Sequence, residues 1–197
     1  MTATVLLVRH ASHDRLGRVL CGRMAGVTLS DQGRREAQAL GRRLADRDLA
    51  AVYSSPLERT RETAEALAAP HGLTPQLDPD LNEVDVGDWA GRAFDELAGP
   101  EWDLWNQARA GARAPGGEAM TEVQARVARA LGRLRDRHPN QTVAVVSHGD
   151  VIKAAVATAL QLSLDGLQRF DIAPASVSTL VVGDWGMKVH DLNGVCA

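Results

Sequence analysis

Val5-Leu6-Leu7-Val8-Arg9-His10 and Val143-Ala144-Val145-Val146-Ser147-His148-Gly149-Asp150 are the two stretches on which the reading of this chain turns. Each is a short apolar run, rich in β-branched residues, that leads into a histidine. Runs of this kind read as strands buried on both faces of a parallel sheet. Open α/β sheets bind ligands in the crevice beyond the carboxyl ends of their strands. Both histidines are therefore expected to face one crevice, from opposite ends of the sequence. Arg9 is permanently cationic, and its planar fork suits phosphate or carboxylate. Two imidazoles and a guanidinium at one strand edge point to phosphate chemistry.

Outward from these runs, strand and helix signals alternate. A loop runs from Arg9 to about Leu29. Ser30 reads as an N-cap with Asp31 in the first turn, and Ala37, Leu40 and Leu44 follow at helical spacing. Ala51–Tyr53 is a short strand. Ser55-Pro56-Leu57-Glu58 then reads as a helix start: Ser55 as cap, Pro56 in the first position, Glu58 completing a capping box. A third strand is expected at Thr74–Leu77. Residues 83–117 read as loop with short helices near Ala93–Leu97 and Glu101–Ala110, and hold Trp89, Trp102 and Trp105. Met120, Val123, Val127, Leu131 and Leu134 mark a long amphipathic helix stopped by Pro139. A helix over Val151–Leu160 follows the second histidine run. Further strands are expected at Gln168–Ile172 and Val177–Val182, with an extended piece near Met187–His190. This alternation implies an α/β sandwich with helices on both faces of the sheet. One domain over residues 1–197 is expected, with a lid-like segment at about 83–117.

The bulk numbers are those of an ordinary globular domain of modest size. The chain has 197 residues, 45% hydrophobic and 24% charged, with a formal charge of -3. That balance gives no electrostatic reason to expect nucleic acid. No stretch reaches the ~18 consecutive apolar residues of a membrane span, and there is no basic, then apolar, leader pattern. A cytoplasmic protein without membrane or nucleic-acid partners is the expectation. Cys21 and Cys196 are far apart and form no C-x-x-C, so neither a disulfide framework nor a zinc site is expected. His10 and His13 form an H-x-x-H, but no third ligand is evident nearby. No metal or other cofactor is expected.

Several residues have two readings. Arg59 lies early in its helix, where a cation opposes the macrodipole; it serves a ligand or pairs with Glu62 or Glu65. Gly149 after His148 allows close approach of a ligand to the backbone. Glu83 lies beside apolar and aromatic residues, where a carboxyl can hold a proton near neutrality, with Asp85 and Asp88 as rivals. Those three acids also fit a solvated loop or a weak cation site.

In order along the chain stand Leu7-Val8-Arg9-His10, Cys21-Gly22-Arg23, the Leu29–Arg34 stretch, Ser54–Thr60, the Asn82-Glu83…Gly87-Asp88-Trp89-Ala90-Gly91 loop, Pro115–Glu118 and Val146–Asp150. This series resembles the histidine phosphatase superfamily, in its phosphoglycerate-mutase-like branch, from Leu6 to about Val182. The resemblance implies a three-layer α/β/α sandwich with a mostly parallel central sheet. It implies His10 as nucleophile, Glu83 as acid, His148 as second catalytic histidine, and Arg9, Arg59, His148 and Gly149 as phosphate ligands. Ser12, His13, Arg15, Arg23 and Arg113 become specificity candidates, alongside Arg18. Two positions depart from the family pattern: Ala11 stands where Gly is common, and Leu16 where many members carry an Asn phosphate ligand. Ser12, His13 or Asp14 are candidates to compensate for the latter. The implied activity is a phosphomonoesterase for a small phosphorylated metabolite, working through phosphohistidine. Mutase-type phosphoryl transfer and a non-catalytic phosphate-binding module are the alternatives. The sequence leaves oligomeric state open, a homodimer included.

Overall fold

The computed structural model describes residues 1–195, so Cys196 lies outside the described residues. Six strands form one mixed sheet: β1 (Thr2–Arg9), β2 (Ala51–Ser54), β3 (Gln76–Leu77), β4 (Thr142–Ser147), β5 (Val177–Gly183) and β6 (Gly186–Gly194), in the order β3-β2-β4-β1-β5-β6. β3, β2, β4 and β1 run parallel, while β5 and β6 join antiparallel at one side. Alternation along β1 divides the core. Leu6 and Val8 face a cluster with Leu40, Leu44 and Leu67, contributed by α1 (Asp31–Leu44) and α2 (Glu58–Ala68). Val5 and Leu7 face the other layer, with α4 (Met120–Arg137) and α5 (Gly149–Leu160). The result is an α/β/α sandwich. Among the described residues no helix is long and apolar enough to cross a membrane.

Local chemistry explains most boundaries. Ser30 caps α1, its side chain accepting from Gly33 N–H, as the sequence suggested. Gly33 is required there, because a Cβ would sit 1.8 Å from the Ser12 carbonyl oxygen. Residues 83–117 hold two 3₁₀ turns and the short helix α3 (Pro100–Gln107). The rings of Trp102 and Trp105 stand edge-on to Trp89, at 5.2 and 5.8 Å between centroids. This apolar knot orders a segment that lacks sheet or long-helix support.

Two expectations are corrected. Ser55 does not cap α2. The helix begins at Glu58 after Leu57, without a side-chain cap; the Ser55 hydroxyl engages Asn82 and His148 and receives Leu57 N–H only at 3.4 Å, outside the helix. Gln168–Ile172 is not a strand: a 3₁₀ helix covers Leu164–Arg169, and the chain then runs irregularly into β5. Its apolar residues instead pack irregularly against the core, Ile172 buried and Phe170 partly so. The third strand is also shorter than expected, two residues paired to the end of β2.

Candidate active site

The parallel register of β1 and β4 builds the site. Arg9 pairs with Ser147, so the next residue of each strand, His10 and His148, emerges level at the carboxyl edge. Their ring centroids are 5.3 Å apart. His10 Nδ1–H donates to the Ala11 carbonyl at 2.9 Å, which fixes the tautomer and leaves the Nε2 lone pair free. Ala11 replaces glycine without strain, since its backbone stays outside the left-handed region. Its N–H donates to Thr63 Oγ1, which ties the turn after His10 to α2.

His148 has the opposite tautomer. The single Ser55 hydroxyl proton goes to Asn82 Oδ1 at 3.0 Å. Ser55 Oγ must then accept Nε2–H of His148, 2.9 Å away. His148 Nδ1 carries a lone pair and lies 3.7 Å from Glu83 Oε2. Burial, then the cationic Arg59, pushes the pKa of both His10 and His148 well below the ordinary histidine value. Both rings are neutral near pH 7.

Around them stand cations with donors to spare. Arg59, 1% exposed, is the second residue of α2 and spends Nη2 on the Gly22 carbonyl at 2.8 Å. It forms no ion pair with Glu62 or Glu65; Glu62 instead accepts from Leu29 N–H. Arg9 spends Nη1 on the Ile172 carbonyl. Arg59 Nε and Nη1, Arg9 Nε and the ring nitrogen Nδ1 of both His13 and His148 are buried without a partner among the described residues. A buried donor left unpaired costs about 1–3 kcal/mol, so three such guanidinium donors in one place are explained best by an anion that they bind. The N-terminus of α5 adds its free N–H groups and positive dipole end, with the Arg9 guanidinium beside Gly149.

Glu83 faces this cradle from the 83–89 loop. Burial raises its carboxyl pKa, the Asp150 charge raises it further, and Arg59 partly offsets both. Its Oε1 accepts from Val84 N–H, while its carbonyl receives Arg23 Nε and Arg126 Nη2. The rivals are occupied elsewhere: Asp85 accepts from Gly87 N–H, and Asp88 lies by Gly116. Gly87 allows this loop its shape, with φ +50° and space for a Cβ only 2.0 Å from the Pro115 carbonyl.

Of the specificity candidates, only His13 lines the pocket of about 390 Å³ that contains His10, Arg59 and Glu83. Its ring centroid is 5.3 Å from that of His10, and burial with Arg59 and Arg9 lowers its pKa to about 4. Leu16 also lines the pocket, so an apolar side chain stands where an Asn was expected from the family pattern. Ser12 turns away to Glu36, through both its N–H and its hydroxyl. Arg23 pairs with Glu118, Arg113 pairs with Glu122, and Arg15 is exposed with its guanidinium at Met24; none lines the pocket. The sequence reading missed Ser55 and Asn82 behind His148, and Lys153, Phe94 and Asp171 at the pocket wall. Lys153 was within reach of pattern reading, since it lies one helical turn beyond Gly149.

A profile of the histidine phosphatase superfamily (branch 1) matches residues 5–194. The chain belongs to this superfamily. Among curated superfamily relatives, phosphoserine phosphatase 1 of Hydrogenobacter thermophilus is 32% identical over 198 residues, covering 98% of this chain and 92% of the relative. Phosphoglycerate mutase-like protein 4 of Arabidopsis thaliana is 35% identical over 159 residues, covering 77% and 69%. The solved structure of Bacillus stearothermophilus YhfR superposes with a TM-score of 0.93 at 31% identity, covering 98% of each chain.

Proposed function

We propose that this protein is a phosphomonoesterase that hydrolyses a small phosphorylated metabolite through a phosphohistidine on His10. The observation that carries the reading is the free Nε2 of His10, its tautomer fixed by Ala11, set among unpaired donors of Arg9 and Arg59. Nε2 attacks phosphorus in line, and the bond to the ester oxygen breaks. Arg9, Arg59 and the amide end of α5 hold the equatorial oxygens, where negative charge spreads. Glu83, whose carboxyl pKa is raised by burial and by Asp150, gives its proton to the leaving oxygen. Water then attacks the phosphoryl group, returns a proton to Glu83 and frees His10. His148 orients the phosphoryl group from its side of the cradle. Residues 1–197 act as one catalytic domain, and the 83–117 segment forms the cover that brings Glu83, Val84, Val86 and Phe94 to the pocket.

Hydrolysis is favoured over mutase transfer because the arginines available for a second anion are held outside the pocket. The phosphatase among the relatives supports the same choice. The test is turnover of p-nitrophenyl phosphate together with chemical trapping of the intermediate. His10→Ala should lose about four orders of magnitude in kcat, and mass spectrometry of quenched wild-type enzyme should locate phosphate on His10. Phosphate bound covalently to another side chain, or turnover that survives His10→Ala, refutes the assignment. Tight phosphate binding with no turnover identifies a binding module instead.

A further inference from the structure

Beyond the phosphate cradle, the pocket has two unlike walls. Leu16, Val19 and Leu20, from the loop after His10, form one wall with Val86 and Phe94 of the cover. The lining also holds Asp150 and Lys153 of α5 and Asp171 before β5. Lys153 is the one cation there, and it is already engaged: its Nζ is 3.7 Å from Asp171 and lies over the Phe170 ring. Asp150 is held by Arg109, which is itself outside the pocket lining. With Asp150 paired to Arg109 and Lys153 to Asp171, this wall carries no net charge and offers no unpaired cation outside the cradle. Arg23 and Arg113, which could have met a second anion, are paired with Glu118 and Glu122. Arg15 and Arg18 are exposed, where solvent and salt screen their reach.

We propose that the group esterified to the phosphate is uncharged with an apolar or aromatic body, and that a second phosphate or carboxylate on the substrate is rejected. This rests on the phosphomonoesterase reading and narrows it. The apolar wall accepts an alkyl chain or a ring, and each buried methylene there is worth about tenfold or more in selectivity. A second anion would find Lys153 already paired with Asp171 and the Asp150 carboxylate close by, with no unpaired cation outside the cradle to meet it. The same geometry accounts for the orientation of the ester, because the leaving oxygen must point from the cradle toward Glu83 and the apolar wall beyond it.

The decisive comparison uses substrates matched in shape and leaving-group chemistry. 4-Carbamoylphenyl phosphate and 4-carboxyphenyl phosphate differ essentially by one charge, and n-butyl phosphate is an apolar counterpart of glycerol phosphate, with a methyl in place of one hydroxyl and a hydrogen in place of the other. We expect kcat/KM to favour the carbamoyl ester by about tenfold or more and the butyl ester by about tenfold. Asp171→Asn should narrow the first ratio, and Phe94→Ala the second. Equal or better use of the carboxylate and glycerol esters overturns the proposal and assigns Arg15 or Arg18 to substrate. Calorimetric binding of the matching arylphosphonates reads the same charge preference without turnover. A protein that hydrolyses none of the esters but still prefers the amide phosphonate refutes the phosphatase reading and upholds the pocket preference. A protein that prefers the carboxylate phosphonate refutes the preference whatever its activity.

Discussion

Ser55 shows how one hydroxyl can carry a different job from the one its sequence context suggests. Its place before Pro56 and Glu58 matches a helix cap, yet its proton goes to Asn82 and its oxygen receives His148. The two roles make different demands on a Ser55→Ala variant. Loss of a cap would cost about 1 kcal/mol of stability and leave chemistry alone. Loss of the acceptor leaves His148 Nε2–H buried and unpaired, which favours the other tautomer or a rotated ring. We expect kcat/KM of Ser55→Ala to fall by about tenfold or more. Two-bond ¹⁵N correlations should show Nε2 of His148 protonated in the wild type and a mixed or reversed tautomer in the variant. Unchanged ¹⁵N signals with an unchanged rate would return Ser55 to a structural role. His10, His148 and Arg9 were legible as residues because each lies at the mouth of an unmistakable buried strand. The surface arginines were not, because charge alone does not say whether a loop residue faces the pocket or a neighbouring carboxylate.

At the scale of elements, the weakest part of the fold by sequence is the loop that presents Glu83, and it is held by side chains rather than by regular backbone. Arg126 of α4 is 6% exposed and donates to the Asp80 and Glu83 carbonyls and to both oxygens of Glu118. Glu118 in turn accepts Asp85 N–H and pairs with Arg23. Arg126→Met keeps the apolar stem and removes every donor, so that Glu118 loses one of its two cations and two carbonyls lose partners. Removal of one member of a buried ion pair costs about 3–5 kcal/mol; the surviving Arg23 contact puts this variant at about 3. Urea unfolding should show a lower midpoint with an unchanged slope. The rate should fall most for esters with poor leaving groups, because those need a well-placed Glu83. A variant as stable as wild type would mean that Arg23 suffices to hold the loop. α4 itself was plain from its apolar period. Arg126 left a signal within it, an arginine three residues after Val123 on the apolar face, but periodicity cannot name the acceptors that justify such burial. The expected strand at Gln168–Ile172 failed for a related reason. Alternation reports which residues are buried, and an irregular segment under a helix buries them just as a strand does.

The sheet order explains why chemistry at this edge bears on the stability of the whole molecule. The adjacent parallel strands β1 and β4 could be inferred as buried strands, but their pairing register, which sets His10 level with His148, belongs to the tertiary fold. That convergence buries His10, His13 and His148 together beside two arginines, and all three pKa values are lowered, His13 to about 4. A histidine with a depressed folded pKa adds stability above its unfolded value near 6.5, and loses it as pH falls toward the folded value. The unfolded chain takes up protons that the folded chain refuses, so the slope of unfolding free energy with pH is positive. Glu83 opposes this, since its raised pKa makes the folded state the better proton acceptor in the same range. Three lowered histidines against one raised carboxyl leave the unfolded chain the stronger proton acceptor as pH falls from 7, so the net slope stays positive. Urea titrations at pH 7, 6 and 5 should therefore show stability falling with increasing steepness, before most carboxylates titrate. His13→Gln removes up to one proton from that balance and should make the slope shallower by about 1 kcal/mol per pH unit over this range. A stability that stays level from pH 7 to 5 in the wild type would mean that the folded protein carries charged imidazoles, and that no neutral nucleophile waits at the end of β1.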